Sequence, residues 1–111
     1  MRNAANTRGN VPGRPRVRLV VNADDFGRSR AINTAVLEAH REGILTSASL
    51  MVTAPAAADA VRIAQANPNL AVGLHLVVLG GRSALPPQEI PHLVNSAGLF
   101  SRNAFWAGLR Y

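Results

Sequence analysis

Between Val17 and Val77 short apolar runs alternate with amphipathic stretches, and that alternation constrains the chain more than any other feature. Val17-Arg-Leu-Val-Val-Asn-Ala23 is a β-branched apolar run of the kind buried on both faces of a parallel sheet. Asp24-Asp25-Phe26-Gly27 breaks it. Ser29 can then cap a helix whose Ile32, Ala35, Val36 and Ala39 fall at helical spacing, and Gly43 stands where a left-handed C-terminal residue is wanted. Ser47–Thr53 is the second strand. Pro55 suits the first turn of a second helix, with Ala57, Ala58, Val61 and Ala64 expected to pack inward. Asn67-Pro68-Asn69 ends that helix, and Ala71–Val77 is the third strand. The order βαβαβ with tight connections predicts an α/β fold with a parallel sheet and right-handed crossovers. Beyond Val78, Gly80-Gly81-Arg82 and Pro86-Pro87 mark a long loop, and residues 101–111 can open a further helix.

Charge is distributed unevenly along these elements. All twelve basic residues are Arg, and five of them precede residue 19, where there is no acid. From residue 19 onward seven Arg face six acids, a formal +1, so the basic character belongs to the N-terminal tail. That tail, residues 1–17, is expected to be a disordered Arg-rich extension, with residues 18–111 forming the domain. It has neither the apolar core of a secretory signal nor the pattern of a transit peptide. It contains no aromatic to stack on a base, and the body is near neutral, so no nucleic-acid partner is expected. No apolar run approaches the roughly 18 residues of a membrane span, and a cytoplasmic location is expected. The absence of Cys excludes a disulfide scaffold, a thiolate zinc site and a cysteine nucleophile.

Ligands and catalytic groups gather at the carboxyl ends of parallel strands. Here the first strand end carries Asp24 and Asp25, and the third carries His75. Adjacent carboxylates repel, and a divalent cation is a common way to keep both ionised. Along the third strand Val72, Leu74 and Leu76 point one way, while Gly73, His75 and Val77 point the other. Asp plus His beside a second carboxylate is the outline of a metal-assisted hydrolase. Each piece also has a purely structural reading. An Asp pair after a strand can close a turn or cap a helix, and a lone strand His can be a hydrogen-bonded core residue. His40, late in the first helix, reads as structural there, and His92 has no supporting pattern.

Three segments in order, Val21-Asn22-Ala23-Asp24-Asp25-Phe26-Gly27, Gly43-Ile44-Leu45-Thr46-Ser47 and Val72-Gly73-Leu74-His75-Leu76, resemble the YdjC-like family of carbohydrate deacetylases. The segment Gly80–Pro91 looks most like the branch associated with hopanoid biosynthesis, called HpnK. The resemblance implies a deformed (β/α) TIM-like barrel that removes an acetyl group from an N-acetylated sugar. It implies a divalent metal, magnesium first with zinc as the alternative, held by Asp25 and His75, with Asp24 as the general base. An N-acetylglucosaminyl hopanoid or a chitooligosaccharide would be the substrate. The former would place the enzyme near a membrane without spanning it, and a homo-oligomer is compatible with the family.

The family carries a second His-rich motif that does not occur before Tyr111, and a barrel needs roughly 200 residues or more. The expectation is therefore the N-terminal βαβαβ portion of a barrel, incomplete in this chain and inactive as a fragment. Expressed alone it is expected to aggregate or stay partly unfolded, because an open parallel edge and an uncovered apolar face need partners. The alternative is a truncated, non-catalytic α/β fragment or a binding half that needs a second chain. A receiver domain also pairs acids after its first strand, but it wants an Asp at the third strand end and a Lys further on, and this chain has no Lys.

Overall fold

The computed structural model describes residues 17–111, so the Arg-rich tail lies outside the described residues except for Val17. Three strands, β1 (Asn22–Phe26), β2 (Ser47–Leu50) and β3 (Ala71–Leu74), form one parallel sheet in the order β1-β2-β3. Helix α1 (Arg30–Arg41) joins β1 to β2, and α2 (Ala57–Ala66) joins β2 to β3. A seven-residue helix, α3 (Ala104–Arg110), follows a long connection. The α/β class, the parallel pairing and the element order agree with the sequence reading.

Every strand is shorter than its apolar run, for one reason: a ladder lasts only as long as its partner does. The predicted first strand, Val17–Ala23, is replaced by Asn22–Phe26, because Asn22 is opposite Ser47, where β2 begins. Upstream, Val17, Leu19 and Val20 are highly exposed, and among the described residues no strand lies beside them. The strand instead runs on through Asp24 and Asp25, which the sequence reading takes as the break. Likewise β2 stops at Leu50, where β1 ends at Phe26; the Met51 N–H donates to the Phe26 carbonyl at 2.8 Å as a final bond between the two strands. With no β2 partner beyond Leu50, β3 ends at Leu74 rather than Val77.

The core lies between the sheet and the two helices. Phe26 and Ala60 are fully buried, and Val36, Leu45, Ala48 and Leu70 are nearly so. Burying a side chain such as Phe26 or Val36 contributes about 1.5–3 kcal/mol. Helix α1 starts as expected, with Ser29 Oγ accepting the Ile32 N–H at 3.2 Å. Its inward face is Ile32, Asn33, Val36, Leu37 and His40, whereas Ala35 and Ala39 face outward. On α2 the inward stripe is Ala56, Ala60, Ile63 and Ala64, so the predicted inward Ala58 and Val61 are exposed. Pro55 stands just before the Ala56 cap instead of inside the first turn. Gly43 is not left-handed; a Cβ there would meet the Ala39 carbonyl oxygen at 2.8 Å, so the demand is for space.

The connection after β3 is hydrogen-bonded to itself. Short antiparallel bridges pair Arg82 with Leu99 and Val94 with Phe100, and Tyr111 Oη donates to the Leu93 carbonyl at 3.0 Å. Thr53 Oγ1 donates to the Arg82 carbonyl at 2.8 Å, tying this layer to the end of β2.

Candidate functional site

Two residues after its pairing with Ala48, β1 bulges: Ala23 is opposite Ala48, but Leu50 is matched by Phe26 instead of Asp25. The extra residue is accommodated by Asp25, whose φ of 62° lies in the left-handed region that Asp tolerates better than most residues. The bulge swings Phe26 into the core and turns the Asp25 backbone N–H toward His75. That N–H donates to His75 Nδ1 at 3.1 Å. With Nδ1 accepting, the proton of the neutral ring sits on Nε2. Asp25 Oδ1 stands 3.7 Å from the same nitrogen, too far for a hydrogen bond. Asp25 Oδ2 is paired with Arg28 Nη1 at 2.8 Å.

His75 follows β3 directly and is half-buried, as is Val77, while Leu74 and Leu76 are exposed. The predicted alternation of this segment therefore continues past the last ladder residue. Asp25, Arg28, Met51, His75 and Arg102 all line one cleft of about 420 Å³. His75 also lines a second, apolar cavity of about 330 Å³ under the 82–100 layer, with Leu85, Ile90 and Phe100.

Asp24 is placed differently from Asp25. Its Oδ1 accepts from Asn22 Nδ2 at 3.0 Å, and the same amide reaches Ser49 Oγ at 3.0 Å. Ser47 Oγ donates to Asn22 Oδ1 at 2.8 Å. These side chains form a polar row across β1 and β2 on the sheet face opposite the helices. Asp24 is exposed and does not line the cleft shared by Asp25 and His75. Of the sequence-derived candidates, the structure thus brings Asp25 and His75 together and leaves Asp24 on the adjoining face.

Three contributors were not found from the sequence. Arg28, three residues after Asp25, occupies one carboxylate oxygen, and that spacing was the available signal. Arg102 reaches the cleft from a distant loop and left no local trace. Asn33 sits on the inward stripe of α1 between Ile32 and Val36; a polar residue among buried positions was a usable sign. Its Oδ1 accepts the Gly27 N–H at 2.8 Å, and its Nδ2 donates to the Ala56 carbonyl at 3.1 Å and Asp59 Oδ2 at 2.8 Å. The hydrogen bond from Asn33, helped by the nearby charges of Arg62 and Arg30, holds the Asp59 carboxyl below its usual 3.8 against the opposing effect of burial.

Asp25 and His75 carry the donor types of a cation site, a carboxylate and an imidazole. Metal–ligand bonds of about 2.1 Å place neighbouring ligands about 3.0 Å apart in an octahedron and about 3.4 Å apart in a tetrahedron, against the 3.7 Å between Asp25 Oδ1 and His75 Nδ1. The carboxylate and imidazole have the donor chemistry for two positions of a divalent shell and would close by roughly 0.3–0.7 Å to take them. A cation on Nδ1 competes with the Asp25 N–H for one lone pair. Among the described residues no group of three or more His, Cys, Asp or Glu is arranged to hold a metal. The other ligands would be water, substrate or groups outside the described residues.

A parallel α/β domain with an Asp–His pair gathered at the carboxyl edge of its sheet defines the general class. The family model of YdjC-like proteins matches residues 18–111, and the chain belongs to that family. It is 48% identical over 83 residues to a carbohydrate deacetylase of Geobacillus stearothermophilus, covering 75% of this chain and 33% of that protein. It is 45% identical over 86 residues to a carbohydrate deacetylase of Brevibacillus brevis, covering 78% of this chain and 34% of the relative. The fold resembles the crystal structure of an Enterococcus faecalis V583 protein provisionally described as a cellobiose-phosphate cleavage protein. The TM-score is 0.75 at 33% identity, over 82% of this chain and 36% of the other. The chain thus spans about a third of the length of the relatives it matches. Among the described residues no helix is long and apolar enough to cross a membrane.

Proposed function

We propose that this chain carries the Asp–His part of the active site of a divalent-metal-dependent hydrolase that deacetylates N-acetylated sugars. The observation that supports it most is the approach of Asp25 Oδ1 to His75 Nδ1 in the cleft at the strand ends. Family membership and the named activity of its relatives narrow the chemistry to carbohydrate deacetylation. The barrel architecture belongs to this proposal too: the sheet has its helices on one face and the polar row of Asn22, Asp24, Ser47 and Ser49 on the other, as a barrel strand set would.

Asp25 and His75 would hold the cation, magnesium first and zinc as the alternative. When bound, such an ion supplies Lewis-acid polarisation of the acetamide carbonyl and a more acidic water. Arg28 neutralises Asp25 Oδ2 and leaves Oδ1 directed at His75. Asp24, steadied by Asn22 Nδ2 on the adjoining sheet face, would accept the proton of the attacking water. Free amine and acetate would be the products. An N-acetylglucosaminyl hopanoid or a chitooligosaccharide is the proposed substrate.

The test is acetate release from N-acetylated chitooligosaccharides with and without Mg²⁺, run beside Asp24→Asn. The reading expects metal-dependent release in the protein containing this domain and a loss of about 10²-fold or more on Asp24→Asn. Release that ignores both the metal and the substitution would overturn it.

A further inference from the structure

We infer that Asn33 is a positioning residue for Asp25: it holds the 24–27 turn so that the Asp25 N–H meets His75, and it does so against Asp59 of α2. The inference rests on the proposed reading of Asp25 and His75 as the working pair, and it goes beyond that reading by tying the pair to a remote amide.

Asn33 is fully buried, and among the described residues it is the buried polar side chain of the domain. An uncompensated buried amide is costly, so its three hydrogen bonds need a reason. They face a backbone donor, a backbone acceptor and a carboxylate, and only one orientation of the amide satisfies all three. The Ala56 N–H in turn donates to the Gly27 carbonyl at 2.9 Å, closing a ring of Gly27, Asn33 and Ala56. This ring joins the end of the Asp24–Gly27 turn to the start of α2.

Gly27 has little freedom inside that ring. Its φ is 94°, and a Cβ would meet the Ala57 Cα and the Met51 carbonyl oxygen, each at 3.2 Å. The turn is closed at its other end by the Arg28 N–H, which donates to the Asp25 carbonyl at 3.0 Å. With Gly27 fixed and Phe26 locked in the core, the left-handed Asp25 has one direction available for its N–H. That direction is His75 Nδ1. Asp59 completes the device, because its carboxylate takes the second Nδ2 proton and fixes which way the amide faces.

The experiment compares the protein containing this domain with its Asn33→Asp and Asp59→Ala variants and the exchange pair Asn33→Asp with Asp59→Asn. Asp25 amide hydrogen exchange and the ¹⁵N shifts of the His75 ring are read out, with Ile63→Ala as a control that loosens the core elsewhere. Asn33→Asp keeps an acceptor for Gly27 but turns an oxygen toward the Ala56 carbonyl and Asp59. It is expected to speed Asp25 exchange at least about tenfold beyond the control and to shift His75 Nδ1. The exchange pair restores a donor opposite an acceptor at position 59 but leaves an oxygen facing the Ala56 carbonyl, so exchange should fall below that of Asn33→Asp by about threefold without reaching the parent's rate. Should Asn33→Asp not fold, Asp59→Ala alone decides, with an expected rise of about twofold or more at Asp25. Asp25 exchange and His75 shifts that follow only global stability, as in Ile63→Ala, overturn the inference. A parallel Mn²⁺ titration judges the metal reading by itself: no binding removes the cation from Asp25 and His75, while the exchange and ring data still decide the role of Asn33.

Discussion

The backbone N–H of Asp25 donates to Nδ1 of His75 at 3.1 Å, across 50 residues of sequence. It links the bulge in β1 to the residue that follows β3, the two outer strands of the sheet. The same bond decides the tautomer of the ring, leaving the proton on Nε2. The ¹⁵N spectrum of His75 at neutral pH should therefore show an acceptor-type Nδ1. Titration with Mn²⁺ should move that signal and release the Asp25 amide to exchange. Asp25→Asn should weaken Mn²⁺ binding by about tenfold or more. Unchanged affinity in that variant would remove Asp25 from the ligand set.

Gly27 is a strict position. Any side chain there combines an unfavourable φ of 94° with contacts of 3.1–3.2 Å to Leu50, Ala57 and Met51. Gly27→Ala should cost about 1–3 kcal/mol of stability, read by urea unfolding. A variant as stable as the parent would show that the turn relaxes freely.

Asp59 sets an acid limit. Its folded-state carboxyl lies below the usual 3.8, so its contribution is fully present above that value. As pH falls through 3.8 the unfolded chain takes up the proton first, and stability is lost progressively toward the lower folded value. Asp59→Asn should flatten the acid limb of a stability-against-pH curve, with little effect on its slope near neutrality. An acid limb identical to the parent's would assign the effect to other carboxyls.

Strand β3 leaves apolar residues on an open edge: Val72 is 39% and Leu74 59% exposed. A short flat apolar edge invites pairing with another chain. Val72→Lys should lower self-association, measured by sedimentation velocity, and leave the Asp25 and His75 signals in place. Equal association in the variant would direct attention to the exposed Phe105 and Trp106 of α3 instead.

The element order was legible because apolar periodicity changes between strand and helix, and because Ser29 is a strong cap. The nearness of Asp25 and His75 was legible for a related reason: the carboxyl ends of parallel strands share one edge, whether a residue is late in its strand, as Asp25 is, or just past it, as His75 is. Strand limits were not legible, since Val17–Val20 is apolar enough for a strand and lacks only a partner, which is a tertiary fact. The inward face of α2 was misread because Ala is nearly indifferent to burial, and the stripe through Ala60 and Ile63 competes with one through Ala58 and Val61. The roles of Arg28 and Arg102 depend on which cleft the chain encloses. Asn33 stood in view on an apolar stripe, but its partners at Gly27 and Ala56 come from two separate turns.

Position 25 answers to two demands at once. Its backbone occupies a conformation that Gly, Asn and Asp enter cheaply, and its side chain supplies a charge that only one of those three carries. With Asp25 as the proposed ligand, most substitutions there would forfeit folding energy and chemistry together. The exceptions are Asn and Gly. A descendant that lost the proposed ligand at this position yet kept the domain would be expected to carry Asn or Gly in place of Asp25.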